Sequence, residues 1–200
     1  MRRTLKKMVG TVALKVLRFK PSGARPEPRR YVLIAAPHTS NWDFPATLAL
    51  AFYYDVPMRF MGKDSLFKPP LGWFFRAAGG VPVVRSEKRN MVQQMVDLFA
   101  QREDLALVVP TEGTRGRVEH WKSGFYHIAK GANVPIVLGF VDFGTRTGGF
   151  GPAIRPSGDV RADMNRIRAF YAPMKGKREE LFGPVRLKSE PSREANAKLN

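Results

Sequence analysis

Short apolar runs alternate with segments of helical periodicity between residues 31 and 171, and this alternation restricts the fold more than any other feature of the sequence. We predict strands at residues 31–36, 58–61, 81–84, 105–109 and 135–143, and helices at 43–54, 71–78, 90–102, 121–131 and 159–171. Strands that alternate with helices indicate an α/β fold, here a single domain with a mainly parallel twisted sheet flanked by helices. The glycine-rich residues 144–151 are interpreted as a turn that leads to an edge strand near 153–155.

Basic residues outnumber acidic ones: 34 Lys and Arg against 17 Asp and Glu give a formal net charge of +17. Ten of the basic residues, but only Glu27 among the acids, fall within residues 1–30. An arm of this kind suits an anionic membrane or a nucleic acid, and we favour the membrane because no nucleic-acid recognition motif is present. The sequence contains no cysteine, which excludes disulfides, thiol nucleophiles and Cys-ligated metals.

The N-terminal arm has the pattern of a basic amphipathic helix. Its apolar residues recur every three or four positions and form one stripe, namely Leu5, Met8, Val9, Val12, Val16 and Phe19. We interpret residues 1–20 as a membrane-contact helix, 21–30 as a linker and 31–200 as the main domain. The alternative is a helix that packs on the domain and leaves its lysines in water.

No part of the sequence reaches the roughly 18 continuous apolar residues that a membrane-spanning helix needs. The N-terminus also lacks the apolar core and small-residue cleavage site of a signal peptide. We therefore expect a cytoplasmic protein that is peripheral to the inner face of the cell membrane.

Polar residues follow two of the predicted strands, and the first group contains His38 and Asp43. Sites in parallel α/β sheets form at the carboxyl ends of strands. A carboxylate beside Nδ1 of a histidine leaves Nε2 to take a proton, and it stabilises the resulting imidazolium. The alternative is that Asp43 caps the helix that begins at Phe44 and Pro45. The spacing alone does not decide between the two.

The second group, residues 111–115, follows the strand at 105–109 and is typical of an anion site. Gly113 allows the backbone to approach a ligand closely, and the planar guanidinium of Arg115 matches the geometry of a phosphate. The alternative is a surface loop in which Glu112 and Arg115 pair with each other.

These two groups, together with two further segments, resemble the motifs of the glycerolipid acyltransferases, the family typified by 1-acylglycerol-3-phosphate acyltransferase. Four motifs occur in the family's order across residues 38–137. They are His38 with Ser40 and Asp43; Gly62-Lys63-Asp64-Ser65-Leu66 with Gly79-Gly80-Val81-Pro82-Val83-Val84-Arg85; Glu112-Gly113-Thr114-Arg115; and Val134-Pro135-Ile136-Val137.

The resemblance implies that His38 is the general base and that Asp43 orients it. It implies that the acceptor phosphate binds to Arg115, with Lys63 and Arg85 as helpers. The loop around that site would be shaped by Glu112, Gly113 and Thr114. The strand at residues 134–137 would support the pocket or an acyl channel.

The reaction implied by the resemblance moves a fatty acyl group from acyl-CoA or acyl-carrier protein to a hydroxyl of a glycerol-phosphate-type lipid acceptor, such as lysophosphatidate, in phospholipid synthesis. The family uses neither a metal nor a prosthetic cofactor. Glycerol 3-phosphate, an ornithine lipid precursor and a glycolipid are alternative acceptors. Outside enzymes, the alternatives are an inactive relative that only binds membrane and a basic nucleic-acid-binding protein.

Overall fold

The computed structural model describes residues 2–83 and 88–190. Its seven strands are β1 (Lys20–Ser22), β2 (Arg30–Ala36), β3 (Met58–Lys63), β4 (Gly80–Val83), β5 (Leu105–Val109), β6 (Ile136–Asp142) and β7 (Thr147–Ile154). The helices are α1 (Arg2–Leu17), α2 (Asp43–Tyr53), α3 (Gly72–Ala77), α4 (Lys88–Ala100), α5 (Gly124–Gly131) and α6 (Val160–Tyr171). Two short 3-10 helices lie at Asp64–Phe67 and Glu179–Leu181.

The strands form one sheet in the order β1-β7-β6-β2-β5-β3-β4. Every neighbouring pair is parallel except β6 and β7, which are antiparallel. β5 is a continuous apolar run, and β2 is one after its first residue Arg30, because helices cover both faces of the sheet. The predicted α/β fold with a mainly parallel sheet flanked by helices is confirmed.

Helices divide between the two faces of the sheet. Ile34 of β2 faces a core that also contains Phe99 of α4, Phe125 of α5 and Ile167 of α6. Its neighbour Leu33 points to the opposite face, where it packs with Ala51 of α2. Helix α3 lies on the α2 side, because the ring of Phe75 in α3 is 6.4 Å from that of Phe44 in α2. One helix layer therefore contains α2 and α3, and the other contains α4, α5 and α6.

Helix α1 packs on the outside of α2 and belongs to the same layer. Gly10 permits close contact, since a Cβ atom there would lie 2.4 Å from the backbone nitrogen of Tyr53. Leu14 is buried in the same interface, together with Ala49 and Leu50. Most of the predicted stripe is not the packed face: Leu5, Met8, Val9, Val12 and Val16 are between 46% and 77% exposed, whereas Phe19 lies beyond the helix and is buried. The helix therefore packs through one face and leaves an apolar stripe uncovered.

The glycine-rich segment differs from the prediction. Most of residues 144–151 belong to β7, and only 143–146 form the turn after β6. The strand is also not the outermost one, because β1 pairs with its first three residues through Lys20–Ser22, across the predicted boundary between helix and linker. A Cβ atom at Gly149 would lie 1.8 Å from the carbonyl oxygen of Ser22. The glycine thus permits close strand packing, a requirement that sequence cannot distinguish from a flexible turn.

Among the residues that the structure describes, no helix is long and apolar enough to cross a membrane.

Candidate active site

His38 lies just beyond the carboxyl end of β2, and Asp43 is the first residue of α2. The short loop between them turns back, so that Nδ1 of His38 is 3.2 Å from Oδ2 of Asp43. The His38 side chain is 22% exposed, whereas that of Asp43 is buried at 6%. Because a carboxylate only accepts hydrogen bonds, a neutral His38 that donates to Asp43 does so from Nδ1, and its Nε2 atom is then the acceptor. This is the geometry of an oriented proton acceptor that a substrate can reach.

Asp43 does not act as a helix cap through its side chain. Its Oδ2 atom accepts the backbone N–H of Ser40 at 2.9 Å, and α2 has no side-chain cap hydrogen bond at its N-terminus. The other oxygen, Oδ1, is buried without a hydrogen-bond partner among residues 2–83 and 88–190. The Asp43 carboxylate therefore stabilises the loop that holds His38. Its negative charge also interacts favourably with the positive end of the α2 dipole.

Glu112 holds the backbone of His38 through a hydrogen bond. Strands β2 and β5 are parallel neighbours with Ile34 opposite Val109, so the residues that follow them meet at one edge of the sheet. There Oε1 of Glu112 accepts the backbone N–H of His38 at 2.9 Å. Burial raises the pKa of Glu112, although this hydrogen bond opposes the shift. The contact joins the first and third motifs directly.

We expect Glu112→Gln to fold, because its amide oxygen still accepts the His38 N–H. A carboxyl group whose pKa is raised in the folded state destabilises the fold as pH rises above the ordinary value, which for Glu112 is 4.5. The free energy of unfolding of the variant, relative to the wild type, should therefore increase between about pH 4 and about pH 7. Urea unfolding followed by circular dichroism measures this difference. A difference that does not change with pH would contradict the raised pKa.

The loop after Glu112 is exposed and presents Arg115. Gly113 adopts the left-handed region with φ of 70°, and its N–H bonds to the carbonyl of Pro110 at 3.1 Å. Thr114 and Arg115 are exposed beyond it. Within the described part of the chain, the Arg115 guanidinium has no ion pair, and Glu112 is bonded to His38 instead. A mutual Glu112–Arg115 pair is therefore wrong.

Of the two remaining predicted residues, the structure describes Lys63 alone. Lys63 ends β3, the strand on the other side of β5, and its side chain is exposed. Lys63 pairs with Val83 of β4, the last residue described before the gap at 84–87. Arg85 lies outside the described residues. The structure thus brings His38, Asp43, Glu112, Gly113, Thr114, Arg115 and Lys63 to one edge of the sheet.

The fourth motif, residues 134–137, lies at the start of β6 and therefore away from this edge, since Ile136 pairs with Val32 near the start of β2. Pro135 accepts the backbone N–H of Val32 at 3.0 Å, and β6 then pairs with β2 as far as Phe140 opposite Ala36. β6 thus flanks the strand that ends before His38, and a role of residues 134–137 in supporting the pocket or an acyl channel stays a prediction.

A C-terminal segment contributes residues that the sequence analysis did not identify. The backbone N–H of Arg178 donates to Oγ1 of the buried Thr39 at 3.3 Å. Lys177 places its ammonium 4.8 Å from the ring centre of Trp42. The sequence gives no signal of this contact, because it joins residues 139 positions apart and depends on the path of the chain after α6.

Comparisons with known proteins agree with this geometry. A family model described as Acyltransferase matches residues 18–137, a range that contains all the predicted site residues. No curated protein matches the chain. The crystal structure of the 1-acyl-sn-glycerophosphate (LPA) acyltransferase PlsC from Thermotoga maritima is similar, with a TM-score of 0.62 and 19% identity over 85% of this chain and 78% of that chain. At this identity the likeness shows a common fold.

Proposed function

The chain belongs to the acyltransferase family, and from that premise we propose that it transfers a fatty acyl group from a thioester to a hydroxyl of a glycerol-phosphate-type lipid. The donor is acyl-CoA or acyl-carrier protein, and the acceptor is lysophosphatidate, the substrate named for the Thermotoga protein. The observation that carries the proposal is the 3.2 Å contact between Nδ1 of His38 and Oδ2 of Asp43, beside a loop that offers Arg115 to an anion.

In the proposed mechanism, Nε2 of His38 removes the proton of the acceptor hydroxyl as the oxygen attacks the thioester carbonyl. The tetrahedral intermediate collapses with cleavage of the carbon–sulfur bond, and the imidazolium returns the proton to the departing thiolate. Asp43 stabilises the imidazolium formed between these steps. No acyl-enzyme forms, and the products are an ester and a free thiol.

The acceptor is held by its phosphate in this proposal. Arg115 makes a bidentate contact, and Lys63 adds a second positive charge from the end of β3. Arg85 is proposed as a further helper from the sequence motif alone. Gly113 and Thr114 shape the loop, whereas Glu112 acts by fixing the His38 backbone rather than by touching phosphate.

A panel of acceptors tests the substrate assignment. Purified protein is incubated with acyl-CoA or acyl-carrier protein and with lysophosphatidate, glycerol 3-phosphate, an ornithine lipid precursor or a glycolipid. Products are identified by mass spectrometry. We expect the highest kcat/KM with lysophosphatidate. A higher value with a neutral glycolipid would replace the proposed acceptor and remove the role of the phosphate site.

The lipid acceptor requires the enzyme to work at a bilayer, and α1 is the proposed contact, on the inner face of the cell membrane. Its stripe is exposed although the helix is anchored on α2. Basic residues flank the stripe and suit anionic lipids, each contributing about 1 kcal/mol near the surface.

We expect Met8→Gln, Val12→Gln and Val16→Gln together to weaken binding to anionic vesicles by about 100-fold, since each buried apolar side chain is worth roughly 1 kcal/mol or more. The fold should survive because these side chains are exposed. Vesicle co-sedimentation measures the effect, with Ala162→Gln and Ala169→Gln in α6 as controls on the other helix layer. Equal sedimentation of the stripe and control variants would show that α1 is only a packed helix.

A further inference from the structure

A second apolar surface lies on α3 and the 3-10 helix before it. Four large side chains, hereafter the α3 patch, are between 39% and 71% exposed: Leu66, Leu71, Trp73 and Phe74. The segment beneath them is well packed. Phe67 is buried, its carbonyl accepts a hydrogen bond from Arg76 at 2.8 Å, and its backbone would clash with any Cβ atom at Gly72. The exposed side chains therefore stand on a fixed support.

Ring contacts connect the α3 patch to helix α2. The ring of Trp73 contacts that of Phe74 at 6.2 Å, and Phe74 contacts Phe75 at 5.6 Å. Phe75 in turn contacts Phe44, the residue next to Asp43. A row of aromatic rings thus leads from the protein surface to the helix that carries the catalytic carboxylate.

The same row places the patch in the helix layer of α1 and α2. Two exposed apolar surfaces of the described residues, the α1 stripe and the α3 patch, therefore lie on this side of the sheet. Exposed Lys63 and Lys68 flank the patch. Surfaces that bind anionic bilayers at the level of the headgroups typically combine Trp and Phe with nearby lysines.

We propose that the α3 patch is a second membrane-contact surface, which inserts Trp73 and its neighbours among the lipids next to the active site. The inference rests on the proposed function, because a lipid-modifying enzyme is what brings this layer to a bilayer. Together with α1, the patch defines an orientation: two contacts on one helix layer hold the edge that carries His38 beside the headgroups. The alternative occupant of the patch is a second copy of this chain.

Tryptophan fluorescence tests the insertion of Trp73 directly. The full-length protein is titrated with vesicles of phosphatidylglycerol and phosphatidylcholine, with or without brominated acyl chains that quench nearby indoles. Trp121 is buried, and Trp42 is half-exposed but covered on one face of its ring by Lys177, so Trp73, the most exposed of the three at 71%, should give most of the quenching. We expect Trp73→Phe to lose more than half of it and Trp42→Phe to keep it. Equal quenching of both variants and the wild type would overturn the proposal.

A binding measurement provides an independent readout. Leu71→Ser with Phe74→Ser should raise the lipid concentration for half-maximal co-sedimentation about tenfold. Ala162→Ser with Ala169→Ser on the other layer should leave it unchanged. If the patch variant instead changes only the sedimentation coefficient of a dimer in lipid-free buffer, the patch is a self-association surface and the proposal is wrong.

The outcome is separable from that of the proposed function. Turnover of a soluble short-chain acceptor depends on His38 and Arg115 and should be the same in the patch variant and the wild type. Loss of vesicle binding with retained turnover supports the inference. Retained binding in a protein that transfers acyl groups contradicts the inference alone.

Discussion

Replacement of His38 with alanine is expected to lower kcat/KM for acyl transfer by roughly 100- to 10,000-fold, the range contributed by general base catalysis. The fold should be retained, because Glu112 bonds to the His38 backbone rather than to its ring. Steady-state kinetics with acyl-CoA and lysophosphatidate measure the loss, and circular dichroism confirms the fold. Asp43→Asn should lose most of the activity as well, since it removes the charge that stabilises imidazolium.

The matched control is His120→Ala. His120 is an exposed histidine on the loop between β5 and α5, so its loss removes the same side chain without touching Asp43. It should keep wild-type turnover. A His38→Ala protein with normal circular dichroism and more than a few per cent of wild-type turnover would contradict the assigned mechanism.

Arg115→Lys is expected to reduce kcat/KM for a phosphorylated acceptor by about 10- to 100-fold, nearly as much as Arg115→Ala. An ammonium group cannot reproduce the two parallel hydrogen bonds of a guanidinium to phosphate, and a charged hydrogen bond is worth roughly 1.5 to 3 kcal/mol. The loss should be much smaller for a neutral acceptor of the same chain length. Parallel kinetics on the two acceptors measure this dependence.

Arg155→Lys provides the control for this substitution, because Arg155 is an exposed arginine that follows β7. It should leave both acceptors unaffected. Equal losses of Arg115→Lys on phosphorylated and neutral acceptors would instead assign Arg115 a structural role.

The central fold was predictable because its strands are buried on both faces. β5 is apolar at every position, and β2 nearly so, which gives a signal that does not depend on knowing the partner. The site could be located for the same reason: once β2 and β5 are parallel, His38 and Glu112 emerge at the same edge. The order of the four motifs, through the family resemblance, then predicted roles for these residues that the spacing of His38 and Asp43 alone could not.

Other features depend on contacts that sequence does not encode locally. The hydrogen bond between Glu112 and the His38 backbone depends on the register of β2 against β5, which the sequence does not reveal. The Glu112 carboxylate was therefore predicted to shape the phosphate loop instead. Gly149 was read as part of a turn because close strand packing and flexibility demand the same residue. For α1, the pattern identified the stripe but not the second face, centred on Gly10, that packs on α2.

The packing of α1 through Gly10 has a mechanical consequence. The contact falls near the C-terminal end of α2, at Ala49 and Tyr53, while Asp43 begins the same helix. About ten residues of α-helix, or roughly 15 Å, therefore form a stiff strut between the outer helix and the carboxylate. In the proposed membrane contact, a bilayer bound by α1 would therefore lie at a constant distance from Asp43 and from His38 beside it. For the proposed function, we expect the enzyme to favour acceptors whose reacting hydroxyl lies at that distance from the bilayer surface.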